Sequence, residues 1–162
     1  MMKPDTDLQS YDSPEQMVYT LADACFAYLE KAGDAAAEQL SDEQHTLMAY
    51  VYLDSQVQEG GFVQLIASGY GEYVLLNPLA DSLRRWRIKP TPKILDQAKA
   101  LYLKHGEAIE RLSEEGVEPE ELRRQFADFE ELDGEYYDNA ETDMASVAAY
   151  IAEHPVKFTS FP

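Results

Sequence analysis

The fold is decided by residues 41–69, which read SDEQHTLMAYVYLDSQVQEGGFVQLIASG. Ser41 can cap a helix, and Gln44 completes a capping box three residues later. Apolar residues then recur at helical spacing as far as Gly60 and Gly61, where the helix is expected to end. Beyond the two glycines, apolar residues at positions i, i+3 and i+4 predict a further short helix.

Helix-start signals also flank this stretch. Ser13 can cap a first helix, which Gly33 is expected to end. On the carboxyl-terminal side, Asn77 is expected to cap a helix and Pro78 to occupy its first turn. Segments with a cap and an apolar stripe at this spacing indicate helices rather than strands.

The longest predicted helix lies in the second half of the chain. Thr91 is expected to cap it, and its apolar stripe covers residues 94–112. Three shorter helices are predicted near residues 120–125, 129–137 and 142–153.

The best strand candidate is Tyr73–Leu76, but it is short and no hairpin turn flanks it. We therefore predict an all-α fold, a single compact multi-helix domain of about seven to nine helices with short connections. This domain is expected to span residues 13–158. A flexible leader is expected at residues 1–12 and a tail at residues 159–162.

The charge of the chain is strongly negative and unevenly distributed. Its 162 residues include 31 Asp and Glu against 13 Lys and Arg, which gives a net charge of −18. Residues 1–83 and 105–162 each carry a net −12, whereas residues 84–104 carry a net +6. Such a field repels nucleic acid and anionic membranes and attracts basic surfaces. We therefore expect a basic protein as partner, with no direct binding to nucleic acid or to membrane.

Residues typical of catalytic and metal sites are scattered. His45, His105 and His154 form no paired metal-binding motif, and His105 falls on an apolar stripe, where an interior or boundary position is expected. Cys25 lies on the apolar stripe of the first helix, without a neighbouring base or cation that would activate it. We predict no catalytic residue, no metal and no cofactor. With a lone cysteine, no signal peptide and no membrane span, the expected location is cytoplasmic.

The densest run of acids lies between residues 114 and 143, which contain 13 carboxylates and two arginines. Carboxylates at helical positions i and i+4 lie about 5–6 Å apart, and B-DNA carries one charge per about 1.7 Å of its axis. Two or three acidic helices side by side could therefore approach a phosphate array. The plainer alternative is a solvated face that keeps the protein soluble. The predicted partner-binding residues are Glu114, Glu115, Glu118, Glu120, Glu121, Asp128, Glu130, Glu131, Asp133, Glu135 and Asp138.

Three segments carry a resemblance to a known family. They are SQVQEGGFVQ at residues 55–64, FADFEELDGEYY at 126–137 and YIAEH at 150–154. A GGF-x-Q element after an amphipathic helix, followed by an acidic F-x-x-L-D-x-x-Y helix, resembles the bacterial DNA-mimic protein family over roughly residues 40–158. The resemblance implies an all-helical fold. It also implies, from one characterised type of member, an acidic homodimer that occupies the DNA-binding face of a transcription factor.

The signature residues Gly60, Gly61, Phe62 and Gln64 are expected to be structural. The two glycines could cradle a phosphate at a helix start. The plainer interpretation is a helix–helix corner, where a positive φ or close packing excludes a Cβ atom. Phe62 is then expected in the core, and Gln64 is expected to satisfy backbone groups near the corner.

The basic segment at residues 84–104 is a further candidate binding site. The basic segment could bind anions, with Trp86 available for stacking. The favoured interpretation is that it pairs with the acidic surface of its own chain or of a second copy.

Of Tyr136 and Tyr137, one is expected in the core and the other near the surface.

The sequence leaves three functions open. The favoured one is a non-enzymatic acidic interaction protein that binds a basic partner, for example a DNA-binding regulator, through residues 114–143 together with acids of the amino-terminal half. The second is an enzyme that uses a carboxylate pair, with or without a divalent metal. The third is a toxin-neutralising or structural helical module.

Overall fold

The computed structural model describes residues 4–162 and confirms the all-α prediction, since no strand occurs in that range. No helix within this range is long and apolar enough to cross a membrane. Shorter elements are 3-10 helices at Leu8–Ser10, Asp34–Gln39 and Ala127–Phe129 and a π-helical turn at Glu72–Leu76. The α-helices of the described range are α1 (Pro14–Ala32), α2 (Asp42–Ala67), α3 (Leu79–Arg85), α4 (Pro90–Glu114), α5 (Pro119–Gln125), α6 (Glu130–Glu153) and α7 (Pro155–Thr159).

The capping box predicted at Ser41 is complete, whereas at Ser13 the Gln16 side chain accepts the N–H of Asp12 and not that of Ser13. The backbone N–H of Gln16 donates to Ser13 Oγ at 3.1 Å at the start of α1. At the start of α2, the Gln44 N–H donates to Ser41 Oγ at 3.0 Å, and the Ser41 N–H donates to Gln44 Oε1 at 2.8 Å. These reciprocal bonds satisfy backbone donors that would otherwise lack a partner in the first turn.

Two predicted caps are wrong. Asn77 does not cap α3, because its side-chain amide donates to the carbonyl of Tyr73 in the preceding π-helical turn. That turn also replaces the strand considered for residues 73–76. Thr91 does not cap α4, because the helix already begins at Pro90, a residue type well suited to the first helical position.

The carboxyl-terminal helices also differ from expectation. The segments predicted as separate helices at 129–137 and 142–153 form one helix, α6. Their apolar stripe continues through buried Ala140 and Met144, and no proline interrupts it before Pro155. Continuous burial along one face therefore outweighs the polar residues between the two predicted pieces.

The chain divides into two compact units, and the boundaries fall inside α2 and α6. The first unit takes the described residues up to Val51 together with Glu141–Pro162. In it the Gln44 side-chain amide donates to the carbonyls of Phe158 at 3.3 Å and Ser160 at 3.0 Å. The Phe161 ring packs against Tyr28, with ring centroids 5.2 Å apart. These contacts hold the residues of the predicted tail.

The predicted leader is only partly covered by the structure. Its residues 1–3 lie outside the described range. Within the remainder, Leu8–Ser10 forms a 3-10 turn, and Asp7 Oδ1 accepts the Gln9 N–H at 3.0 Å.

The second unit, residues 52–140, contains the helix–helix corner expected from the sequence. It is formed by Gly60 and Gly61, whose backbone angles are not helical and divide α2 into two helical pieces, and we call it the glycine corner. Gly61 has φ +79°, a conformation that L side chains rarely adopt. A Cβ atom at Gly61 would lie 2.3 Å from Asp133 Oδ2, and the Phe62 N–H donates to Asp133 Oδ1 at 2.8 Å. The carboxylate of Asp133 on α6 therefore occupies the space that glycine leaves open and binds the first N–H beyond the turn.

Other groups complete the glycine corner. Arg123 Nη1 donates to the carbonyl of Gly60 at 3.3 Å, and Phe62 is fully buried, as expected. Gln64 is expected to satisfy backbone groups near the corner, but its side-chain amide donates to Ser68 Oγ at 2.9 Å, just beyond the end of α2. Burial raises the pKa of Asp133 to about 6, while the Phe62 N–H and the Arg123 charge oppose that rise.

Two tyrosines of α6 form hydrogen bonds to α2 within this unit. The Tyr136 hydroxyl donates to Asp54 Oδ1 at 2.6 Å, and both residues are buried. The Tyr137 hydroxyl donates to the carbonyl of Val57 at 2.7 Å, although 45% of Tyr137 is exposed. The expectation that one tyrosine of the pair lies in the core and the other near the surface is confirmed.

Replacing Gly61 by Ala should lower the free energy of unfolding by roughly 2–5 kcal/mol, because it combines a strained positive φ with a clash against Asp133. Urea denaturation followed by circular dichroism measures this loss. The matched control is Gly134→Ala on α6, where an added Cβ meets no heavy atom within 4 Å. The control should raise stability by roughly 0.5–1 kcal/mol. Equal small effects of the two substitutions would contradict the close contact at Gly61.

The stability of the protein should depend on pH through Asp133. Because its pKa is raised from 3.8 to about 6 in the folded state, the folded protein keeps a proton that the unfolded chain releases. The contribution of Asp133 to stability is therefore complete below about pH 4 and is lost as the pH rises through about 6. Urea midpoints at four pH values between 4 and 7, for the wild type and for Asp133→Asn, measure this contribution as a difference.

We expect the stability of the wild type relative to Asp133→Asn to fall over this pH range and to level off above it. The comparison cancels the repulsion among the other acids, which both proteins share. A difference that increases with pH would instead mean that the folded state favours the ionised carboxylate.

Candidate functional site

The acids predicted to bind a partner come from consecutive elements of the second unit. Glu114 and Glu115 end α4, Glu118 precedes α5, and Glu120 and Glu121 lie in its first turn. The remaining acids lie in the 3-10 helix Ala127–Phe129 and in the first turns of α6: Asp128, Glu130, Glu131, Asp133, Glu135 and Asp138. Since α4 contacts α5 and this 3-10 helix, and α5 contacts the 3-10 helix, neighbouring elements supply these acids.

Burial separates one acid from the rest. Asp133 is half-buried, and its Oδ1 accepts the Phe62 N–H of the glycine corner, so this carboxylate already has a structural role that the other ten acids do not share. Glu121 and Glu135 are partly exposed. We use the name acidic surface for the ten predicted acids other than Asp133, of which the exposed ones are Glu114, Glu115, Glu118, Glu120, Asp128, Glu130, Glu131 and Asp138.

Few cations neutralise the acidic surface. Arg124 pairs with Glu121 at 2.8 Å, and His105 lies 3.1 Å from Asp128. Arg123 is directed to the Gly60 carbonyl instead. No other acid of this surface has an ion-pair partner within residues 4–162. The surface therefore keeps most of its negative charge.

The helix dipole explains some of these acids and not others. Glu120 and Glu121 start α5, and Glu130 and Glu131 start α6, where a negative charge stabilises the positive end of a helix. Glu114 and Glu115 lie at the opposite end of α4, where the dipole disfavours a carboxylate by about 0.3–1 kcal/mol. Helix stability therefore gives no reason for acids at these two positions.

Among the described residues, no group of three His, Cys, Asp or Glu side chains could hold a metal ion. His105 is half-buried, and its ring centroid lies 5.4 Å from that of Phe126, which confirms the boundary position expected for it. Burial raises the pKa of Cys25 to about 12, so its thiol stays protonated at neutral pH.

The basic segment at residues 84–104 pairs with acids of its own chain at one position. Arg84 binds Asp81 at 3.1 Å and also binds Asp96. Both acids are close to Arg84 in the chain, so this pairing does not draw on the acidic surface. Arg87, Lys89 and Lys93 line an open groove together with Arg84.

The comparisons with known proteins agree with the resemblance drawn from the GGF-x-Q element. Residues 38–154 match the family described as DMP19-like protein. The curated DNA mimic protein DMP19 of Neisseria meningitidis serogroup B (strain ATCC BAA-335 / MC58) is 57% identical over 138 residues, which cover 85% of this chain and 84% of that protein. The matched residues include the glycine corner and the acidic surface. The chain therefore belongs to the DMP19-like protein family.

Proposed function

We propose that this chain is a non-enzymatic interaction protein that mimics DNA and occupies the basic DNA-binding face of a partner through its acidic surface. The relative that is 57% identical is named a DNA mimic protein, which supports this class of function for the chain. A partner that binds DNA would meet the chain where bacterial DNA is found, so the proposal includes a cytoplasmic location.

The observation that carries the proposal is the exposed, largely unpaired charge of the acidic surface. Its acids are contributed by neighbouring elements, and Glu114 and Glu115 hold positions that the α4 dipole disfavours. Acids kept at such positions are better explained by recognition of a cation-rich surface than by helix stability. A general need for solubility would be met by acids placed anywhere on the surface.

The spacing of the carboxylates is compatible with phosphate mimicry only if several elements act together. On one helix face, carboxylates at i and i+4 give about one charge per 6 Å. One strand of B-DNA carries about one charge per 3.4 Å. Acids from α4, α5 and α6 would together approach that density, and a homodimer, which we include in the proposal, would lengthen the array.

Long-range attraction would bring the two proteins together. A partner surface that binds DNA is rich in Arg and Lys, and a field of net charge −18 would steer it towards the chain. Association should therefore weaken as salt rises, because screening shortens the range of this attraction to about 8 Å at physiological ionic strength.

The enzyme considered from the sequence would require two carboxylates that converge in a concave site. The groove described above is lined by cations, and Asp133 binds the backbone of the glycine corner. No observation therefore favours that alternative over binding to a basic protein.

Displacement from DNA tests the proposal directly. DNA-binding proteins from the source cell are retained on double-stranded DNA-cellulose, and the purified chain is added at constant ionic strength. We expect it to elute a specific protein. That protein is then purified, and the chain should displace it from its DNA in a gel-shift titration. The variant Glu118→Gln, Glu130→Gln, Glu131→Gln, Asp138→Asn should compete on the order of tenfold more weakly and with a flatter salt dependence.

The matched control neutralises four exposed acids of the first unit: Glu15→Gln, Asp23→Asn, Glu30→Gln and Asp34→Asn. It changes the net charge by the same amount and should compete within about twofold of the wild type. Failure to elute any protein would contradict DNA mimicry, and equal loss by both variants would show that competition depends on net charge and not on the acidic surface.

A further inference from the structure

A basic groove opens where α3 ends and α4 begins. Its volume is about 570 Å³, and it is lined by Arg84, Arg87, Ile88, Lys89 and Lys93. Four of these five residues are cationic in a chain of net charge −18. No function considered above uses this concentration of positive charge.

Three of the four cations have no partner among residues 4–162. Arg84 binds Asp81 and Asp96, which leaves its own charge largely satisfied. Arg87, Lys89 and Lys93 are exposed, and they make no ion pair or side-chain hydrogen bond within the described part of the chain. Their charges are therefore available to a ligand.

Backbone hydrogen bonds at the end of α3 fix the turn that carries Arg87. The Ile88 N–H donates to the Leu83 carbonyl at 3.0 Å, and the Arg87 N–H donates to the Arg84 carbonyl at 2.9 Å. This pattern closes α3 in the manner of a Schellman motif, in which glycine usually takes the left-handed position. Arg87 occupies that position here with φ 66°, and buried Ile88 anchors the turn.

The chemistry of the lining selects the ligand. Arg and Lys side chains offer only hydrogen-bond donors, so the ligand must be rich in acceptors and negatively charged. Arg presents a planar fork that binds phosphate oxygens in pairs, and Lys adds a mobile point charge. A volume of about 570 Å³ falls within the range of small-molecule sites. We propose that the basic groove binds a compact polyphosphate anion.

Charge also distinguishes this ligand from a second copy or from another acidic protein. An acidic protein face docked on the groove would bring many carboxylates against those of this chain, whereas a small polyphosphate carries only a few charges and leaves a homodimer formed through other contacts unaffected. Once inside the groove, the small anion meets mainly the local cations, because charges further than about 8–10 Å away are screened. The groove therefore fits a compact anion better than an acidic protein face.

Titration with sodium tripolyphosphate tests the proposal. Trp86 is the only tryptophan of the chain, is 5% exposed and directly precedes Arg87, so its fluorescence can report binding alongside isothermal titration calorimetry. We expect one saturable site per chain at low salt. The double variant Lys89→Ala, Lys93→Ala should weaken binding at least tenfold. The matched control is Lys99→Ala, Lys104→Ala, which removes two exposed lysines of α4 that do not line the groove. This control should bind tripolyphosphate with an affinity within twofold of that of the wild type.

A second variant separates binding from folding. Arg87→Gly removes a groove cation and relieves a positive φ, so the melting temperature should rise while tripolyphosphate binding weakens at least threefold.

The proposal is overturned if no saturable binding occurs, or if the two double variants lose affinity equally. It is also overturned if Arg87→Gly binds as the wild type does, or if sodium sulfate at matched ionic strength competes as well as tripolyphosphate. Binding of a polyglutamate peptide without binding of tripolyphosphate would assign the groove to an acidic protein instead.

Discussion

The contact between Asp133 and the backbone at Gly61 is the constraint on which the second unit depends. A carboxylate of α6 fills the space where a Cβ atom of α2 would lie, and it accepts the N–H of Phe62. With the hydroxyl bonds of Tyr136 and Tyr137, this contact sets the rotation of α6 about its axis. That rotation determines which acids of α6 face inward and which remain exposed, so a packing contact defines the part of the acidic surface that α6 contributes.

The charged residues of the second unit form two distinct surfaces of opposite sign. The acidic surface presents exposed carboxylates with few cationic partners, and the basic groove presents three cations without acidic partners in the described range. The net charge of −18 acts on a partner that is still at a distance, whereas at each surface the nearest charges dominate because salt screens the others. The sign of the local charge therefore decides what each surface can bind.

Local sequence signals predicted much of the fold. Ser13 and Ser41 cap α1 and α2 as expected, because each cap depends on a residue only three positions away. The caps predicted at Asn77 and Thr91 were wrong, since a competing acceptor and an earlier proline lay next to them. The predicted break within α6 was also wrong, because burial of a continuous stripe depends on what packs against the helix.

Composition and periodicity predicted an acidic, all-helical protein, and the GGF-x-Q element with the acidic helix after it indicated a resemblance that the family match over residues 38–154 confirms. They could not distinguish Asp133 from Glu130 or Glu131, because all three are acids in the first turn of one helix. Only the tertiary structure places Asp133 against a backbone N–H that is 71 residues away in the chain. The physical reason is that the role of a carboxylate is decided by the groups that surround it after folding, which no local pattern contains.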